Sequence, residues 1–240
     1  MKTNSWCVTD RGLRRDSNQD SFLINHDLGL YIVADGMGGH SGGEVASSIA
    51  VSVAEQVLLQ NRRTKKSPRD LIVQVYEEAS RQIFDMAMHK RPELAGMGTT
   101  MVVALVTQQN IYIGNVGDSR CYLYKATNLW QITEDHSLIN EQVRSGALSY
   151  EQAKVQTARN VITRSVGYER SVTCDVYERQ LAPGEIYLLC SDGLSSLVPD
   201  SVIRSIIQNQ NPSSIAQKCV DEALAHGGDD NVTVLVLEVT

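Results

Sequence analysis

The sequence predicts an α+β fold in which antiparallel sheets carry helices on their outer faces. Three observations lead there. Along the 240 residues, element types are segregated: strands, two helices, many strands, two helices, a last strand. A parallel sheet would instead alternate strand and helix. The strand-like runs between Gly98 and Ile132 are separated by two to four residues, too few for a crossover, so neighbours must be antiparallel. No repeat, low-complexity tract or linker divides the chain, and this length suffices for one sizeable core.

Taken in order, Trp6 to Asp10, Ser21 to Asn25 and Leu30 to Asp35 read as short strands. Gly43 to Gln60 reads as a helix, because Val45, Ala46, Ile49, Ala50, Val53, Ala54, Val57 and Leu58 keep one face. Asn61 to Lys66 is a basic solvated loop. Ser67-Pro68 opens a second helix, serine suiting the N-cap and proline the first helical position. Leu71, Ile72, Val75, Ala79, Ile83 and Met86 line its face. Met101 to Val106, Ile111 to Val116, Arg120 to Tyr124 and Leu129 to Ile132 are strands. Ser137 to about Gly167 is more polar and reads as helical. Val172 to Glu178 and Ile186 to Cys190 resume the strand series. Helices follow at Asp200 to Gln208 and Ser213 to His226, the second closed by Gly227. Val232 to Val239 is the last strand.

Composition narrows the function. The chain is 42% hydrophobic and 21% charged, ordinary for a soluble globular protein. Its net charge of -6 argues against a nucleic-acid binder. No run approaches the ~20 apolar residues of a membrane span, and the N-terminus lacks an apolar signal stretch. The five cysteines are odd in number and form no Cys-x-x-Cys, which fits reduced thiols in the cytoplasm.

The chemistry lies in four acidic strand ends: Ala34-Asp35-Gly36, Gly117-Asp118-Ser119, Ser191-Asp192-Gly193 and Asp229-Asp230-Asn231. A single Asp-Gly is a turn signal. These flanks, however, are too apolar for hairpin tips facing water, and a buried lone carboxylate costs several kcal/mol unless paired or metal-bound. Four in one domain point to a shared hard cation held by oxygens. Competing chemistries lack their motifs: there is no His-Glu-x-x-His, no Gly-x-x-x-x-Gly-Lys loop and no Gly-x-Ser-x-Gly elbow. Gly36-Met37-Gly38-Gly39 has no lysine for phosphate, and Asp35 at its head would repel one unless a metal intervened. Magnesium or manganese is the expected ion.

Six segments then occur in a fixed order: Arg15-Asp16-Ser17-Asn18-Gln19-Asp20, Val33 to His40, Gly98-Thr99-Thr100, Gly114 to Arg120, Cys190 to Leu194 and Gly228 to Thr233. From Asp10 to Thr233 the chain resembles the metal-dependent type 2C serine/threonine protein phosphatases in their compact bacterial form. The resemblance implies one phosphatase domain over residues 1–240, a four-layer α-β-β-α sandwich with two central antiparallel sheets, and a flap at about residues 137–167. It implies two core Mn2+ or Mg2+ ions, with a third, weaker one in bacterial members. Asp35 would bridge the core ions, the Gly36 carbonyl joining one, and Asp192 and Asp230 completing the other. Asp229 is the alternative to Asp230. Asp118 would serve the third ion, Asp20 would hold water from the outer shell, and Asn231 would support the ligands.

Arg15 matches the family's phosphate-binding arginine, its planar fork suiting two phosphate oxygens; Arg11 and Arg14 read as surface residues. Water activated by two divalent ions attacks phosphorus in line near neutral pH. Met37 stands where animal relatives carry a histidine, so His40 is either a general acid or a hydrogen-bonding residue that shapes its loop. His26, His89, His136 and His226 have no comparable context. Gln156-Thr157 replaces the His-Pro often found in the flap, and Arg159 to Arg164 resembles its hinge. The expected substrates are phosphorylated proteins, targets of a serine/threonine kinase, met by a cytoplasmic monomer that binds neither nucleic acid nor membrane. The rival readings are a catalytically silent phosphatase-like sensor module and another phosphoester hydrolase on the same fold.

Overall fold

A computed structural model describes residues 1–39, 41–149, 152–153 and 161–240. Two antiparallel sheets lie at its centre. The first takes β1 (Thr3–Asp10), β7 (Arg120–Lys125), β8 (Asn128–Gln131), β10 (Ile186–Cys190) and β11 (Val232–Val239), in the order β1-β11-β10-β7-β8. The second takes β2 (Asp20–Asn25), β3 (Leu30–Met37), β5 (Met101–Val106), β6 (Asn110–Val116) and β9 (Asp175–Gln180), in the order β2-β3-β5-β6-β9. The two-residue β4 (Gly98–Thr99) is added on β3.

Alternating side chains explain why the sheets stack. In β3, Tyr31 and Val33 face the other sheet, where they meet Leu189, Leu235 and Leu237 in the central core. Leu30, Ile32 and Ala34 face the opposite way, against α1 (Gly42–Asn61) and α2 (Pro68–Asp85). In β11, Val232, Val234 and Val236 likewise turn outward, against α5 (Asp200–Asn209) and α6 (Pro212–Ala225). A strand buried on both faces thus reads as a continuous apolar run. The result is the α-β-β-α sandwich expected from the sequence.

Local signals act as expected. The Ser67 hydroxyl accepts from the Asp70 amide at 3.1 Å and caps α2. At the end of α6, Gly227 and Gly228 donate back to Leu224 and Ala223, a glycine-closed C-terminus. The segment read as helical from Ser137 is so in part. Among the described residues, α3 covers Leu138–Arg144 and buries none of its own residues, and Gln152–Ala153 are helical. Gly146 at φ +76° stands between them. Ser137 and Ile162 form an antiparallel bridge, as do Thr99 and Val166. Gln156, Thr157, Arg159 and Asn160 lie outside the described residues. The sequence also gives no sign of α4 (Asp192–Ser195), which is too short to have a period.

All the acidic segments gather at one end of the sandwich. β2 begins there with Asp20, opposite Asp35 in the ladder to β3. β6 ends there at Val116 and β7 starts at Arg120, which pairs with Cys190 at the end of β10. The first residue of β11, Val232, pairs with Asp10, the last of β1.

Candidate metal centre

Asp35 sits near the end of β3 with its peptide held on both sides. Its N–H donates to Thr100 Oγ1 at 3.1 Å, and its carbonyl accepts from the Thr100 amide and the Thr99 hydroxyl, each at 2.8 Å. Thr100 Oγ1 also meets Ser119 Oγ at 2.7 Å, which ties the Asp35 strand to the loop that carries Asp118. The Gly98-Thr99-Thr100 segment therefore fastens two acidic loops to each other. Gly36 must be glycine, because a Cβ there would collide with the Gly43 carbonyl at the start of α1.

The third and fourth acids come from the other sheet. Asp192 opens α4, directly after β10, and its charge bears on buried Asp35. Asp230 precedes β11 and receives Arg15 Nη2 at 2.6 Å. Asp229 points elsewhere, exposed and 3.8 Å from Arg14. Asp20 Oδ2 accepts from the Thr233 hydroxyl at 2.6 Å and the Ser191 hydroxyl at 2.8 Å.

Asn231 organises the loop opposite. Its Oδ1 accepts from the Gln19 amide at 2.8 Å, and its Nδ2 donates to the carbonyls of Arg11 (2.8 Å) and Ser17 (2.9 Å). One buried amide thus satisfies three backbone groups of the segment bearing Arg15 and Asp20.

Electrostatics show how closely these acids crowd. Burial raises the Asp35 carboxyl well above the usual range, and Asp20, Asp192, Asp118 and Asp230 add to that in turn. Burial pushes Asp20 up to about 7, despite its two hydroxyl donors, and Asp192 and Asp230 contribute. Asp118 is likewise pushed up to about 7 by burial and by Asp192 and Asp135. Asp192 is raised by burial and by Asp230. Uncompensated carboxylates hold their protons in this way until a cation replaces them.

Two further observations test the fit of a hard cation. Asp20 Oδ1 and Asp192 Oδ1 are buried and have no hydrogen-bond partner. The donor set consists of carboxylate and carbonyl oxygens, as Mg2+ and Mn2+ prefer. Among the described residues no three His, Cys, Asp or Glu side chains already form a ready coordination group. Asp230 is held by Arg15. That is a contact a divalent ion would exchange, and the residues fit one. His40 lies outside the described residues.

One residue near the centre escapes a reading of the sequence. His136 is buried and hydrogen-bonded to Gly117, beside Asp118. It carries no metal-ligand spacing, and its only signal is a position between Asp135 and Ser137 after a strand. All five cysteines are free, and burial pushes the Cys7 thiol up to about 12.

Comparison with known proteins gives a consistent picture. A family model described as protein phosphatase 2C matches residues 8–232. The serine/threonine phosphatase stp of Listeria monocytogenes is 36% identical over 236 residues, covering 96% of this chain and 93% of that protein. The Streptococcus agalactiae serine/threonine phosphatase superposes with a TM-score of 0.89 at 31% identity, covering all of both chains (100% each). The catalytic domain of the phosphatase PstP, solved with two manganese ions, superposes at 0.88 with 31% identity and 99% coverage of each chain.

Proposed function

The chain belongs to the protein phosphatase 2C family and is a manganese- or magnesium-dependent serine/threonine protein phosphatase, and on that premise we propose which of its residues hold the ions and the phosphate. Asp35, the Gly36 carbonyl, Asp192 and Asp230 would hold the two core ions, and Asp118 would hold a third. Asp20 stands behind them, its orphaned oxygen positioned to hold a water. Asn231 keeps the Arg15–Asp20 loop against the ligands.

When bound, the ions supply a water nucleophile near neutral pH and neutralise charge on the transferred phosphoryl group. The protein supplies placement. Arg15 is half exposed, at 52% of its side-chain surface, so its guanidinium can turn from Asp230 to a phosphate arriving from solvent. The fork then grips two phosphate oxygens. His40 either protonates the leaving alcohol or shapes its loop.

The observation that carries this reading is the set of crowded, proton-holding carboxyls at one end of both sheets, with two buried oxygens lacking partners. It favours an enzyme over a silent sensor, since no acid of the set is missing. Phosphorylated proteins are the substrates. The same proposal includes a single domain over residues 1–240 with a flap at about 137–167. It further includes action on targets of a serine/threonine kinase, and a cytoplasmic monomer that binds neither nucleic acid nor membrane. The net charge of -6 and the free thiols support that setting.

Calorimetric Mn2+ titrations test the ligand set. Asp35→Asn, Asp192→Asn and Asp230→Asn should each weaken core binding and remove nearly all turnover, and Asp229→Asn should change little. If Asp229→Asn is the more damaging of the neighbouring pair, the assignment is off by one residue.

A further inference from the structure

His136 contacts no phosphate, is almost fully buried at 4% exposure, and lies outside the ligand set just assigned. Both its ring nitrogens are committed. The Gly117 amide donates to Nδ1 at 3.1 Å, while Nε2 lies 3.2 Å from Asp175 Oδ2. A backbone N–H can only donate, so Nδ1 must accept and the ring proton must sit on Nε2, where it donates to Asp175. A doubly protonated ring would set two N–H groups against each other at Gly117. Burial, which disfavours the charged ring, acts in the same direction.

The backbone of His136 doubles the grip. Its N–H donates to the Gly117 carbonyl at 2.9 Å, so one residue holds both polar groups of that glycine. Gly117 needs holding. It stands at φ +101°, and a Cβ there would lie 2.6 Å from Thr100 Cβ, so the turn is accessible to glycine alone, the residue whose backbone is least restrained by itself. The next residue is Asp118. On its other side the ring is anchored through Asp175, which also receives Arg164 Nη1 at 3.2 Å. The His136 carbonyl accepts from Thr163 at 2.8 Å.

We propose that His136, as the neutral Nε2–H tautomer, is a positioning residue that orients the Gly117 peptide and so presents Asp118 to the weakest divalent-cation site. The proposal rests on the reading of Asp118 as a cation ligand. It assigns to a buried histidine the outer-shell duty that metal ligands usually receive from a hydrogen-bond partner, whose loss typically costs about 10- to 100-fold in affinity.

Mn2+ calorimetry on the full chain tests it with four variants. His136→Ala and His136→Gln, which lose the acceptor at the Nδ1 position, should weaken the weakest site by about 10- to 100-fold and leave the tighter sites unchanged. His136→Asn, whose Oδ1 can stand in for Nδ1, should restore most of that loss. Asp118→Asn should abolish the site. If Asp118→Asn abolishes it while all three His136 variants bind like the parent, the positioning role is overturned and the Asp118 reading stands. If Asp118→Asn changes nothing, both are overturned. The unsubstituted protein gives an independent readout should a variant not fold. Two-bond 15N–1H correlation near neutral pH must show Nδ1 as the unprotonated nitrogen, and a proton on Nδ1 overturns the proposal.

Discussion

Arg15→Ala separates two roles of one guanidinium. In the structure Arg15 Nη2 lies 2.6 Å from Asp230 Oδ2, with side-chain exposures of 52% and 31%. Two unit charges at that range attract by several kcal/mol at an effective dielectric of about 20. Exposure, screening and side-chain entropy reduce a pair of this kind to about 0.2–1 kcal/mol. A divalent ion that recruits Asp230 must break the pair, so deleting Arg15 should tighten Mn2+ binding by up to about fivefold, the equivalent of 1 kcal/mol. The phosphate contact acts in the opposite sense. A charge-assisted hydrogen bond is worth about 1.5–3 kcal/mol, so KM for a phosphothreonine peptide should rise about 10- to 150-fold, with a smaller fall in kcat if the grip is equal in ground and transition states. Arg15→Lys should recover only part, since a point charge lacks the fork. Steady-state kinetics over a Mn2+ series, with calorimetry on the same samples, read both effects. An unchanged KM with a large fall in kcat would confine Arg15 to the transition state. No kinetic effect would place the phosphate elsewhere. Weaker Mn2+ binding in Arg15→Ala would mean that the pair props Asp230 in place rather than competing for it.

Three other outcomes follow from the same geometry. Exhaustively chelated protein should keep its circular dichroism and lose activity on p-nitrophenyl phosphate and on a phosphothreonine peptide, and Mn2+ should restore both; full activity after chelation would sink the metal mechanism. Asn231→Ala leaves three backbone groups of the Arg15–Asp20 loop without their partner. It should cost at least about 1–3 kcal/mol, a fall in Tm of about 2–4 °C per kcal/mol, and an unchanged Tm would deny the staple. In chelated protein, Asp20 and Asp118 bind protons up to about 7 when folded but only to 3.8 when unfolded. The folded state therefore holds the extra protons, and stability should fall as pH rises through that window. Mn2+ should flatten the slope. Glu78 and Glu93, held low by Arg81 and Arg91, act in the opposite sense only below their ordinary 4.5. Buried His136, held below its ordinary 6.5, opposes the trend within the window but is outweighed by Asp20 and Asp118 together with raised Asp35 and Asp192. A chelated Tm that climbs from pH 5 to pH 7 would contradict the crowding of the acids.

What could be read from the sequence was whatever depends on neighbours along the chain. The continuous apolar runs of β3 and β11, the caps of α2 and α6, and the four acidic strand ends are each local patterns, and each recurs in the structure. The segment from Ser137 is helical at Leu138–Arg144, as its composition suggests, but the bridges at its ends, Ser137 to Ile162 and Val166 to Thr99, join residues too far apart in sequence for a local pattern to show. Thr100 holds a peptide 65 residues away, which no local pattern shows; the motif names Asn231 as a support for the ligands but not the peptide 212 residues away that it holds. His136 showed no ligand spacing because it addresses a peptide, not an ion.

Arg15 and Asp230 show the same effect, 215 residues apart in sequence and in contact in space. Their meeting follows from one ladder. β1 pairs antiparallel with β11, and Asp10 stands opposite Val232. The loop leaving the first strand must therefore lie against the loop entering the last, with Asn231 between them as the fastener. The proposed phosphate grip and the proposed cation ligand are thus brought together only when the two ends of the chain have joined the same sheet. A local motif can name such residues, but only the closed sandwich makes them a site.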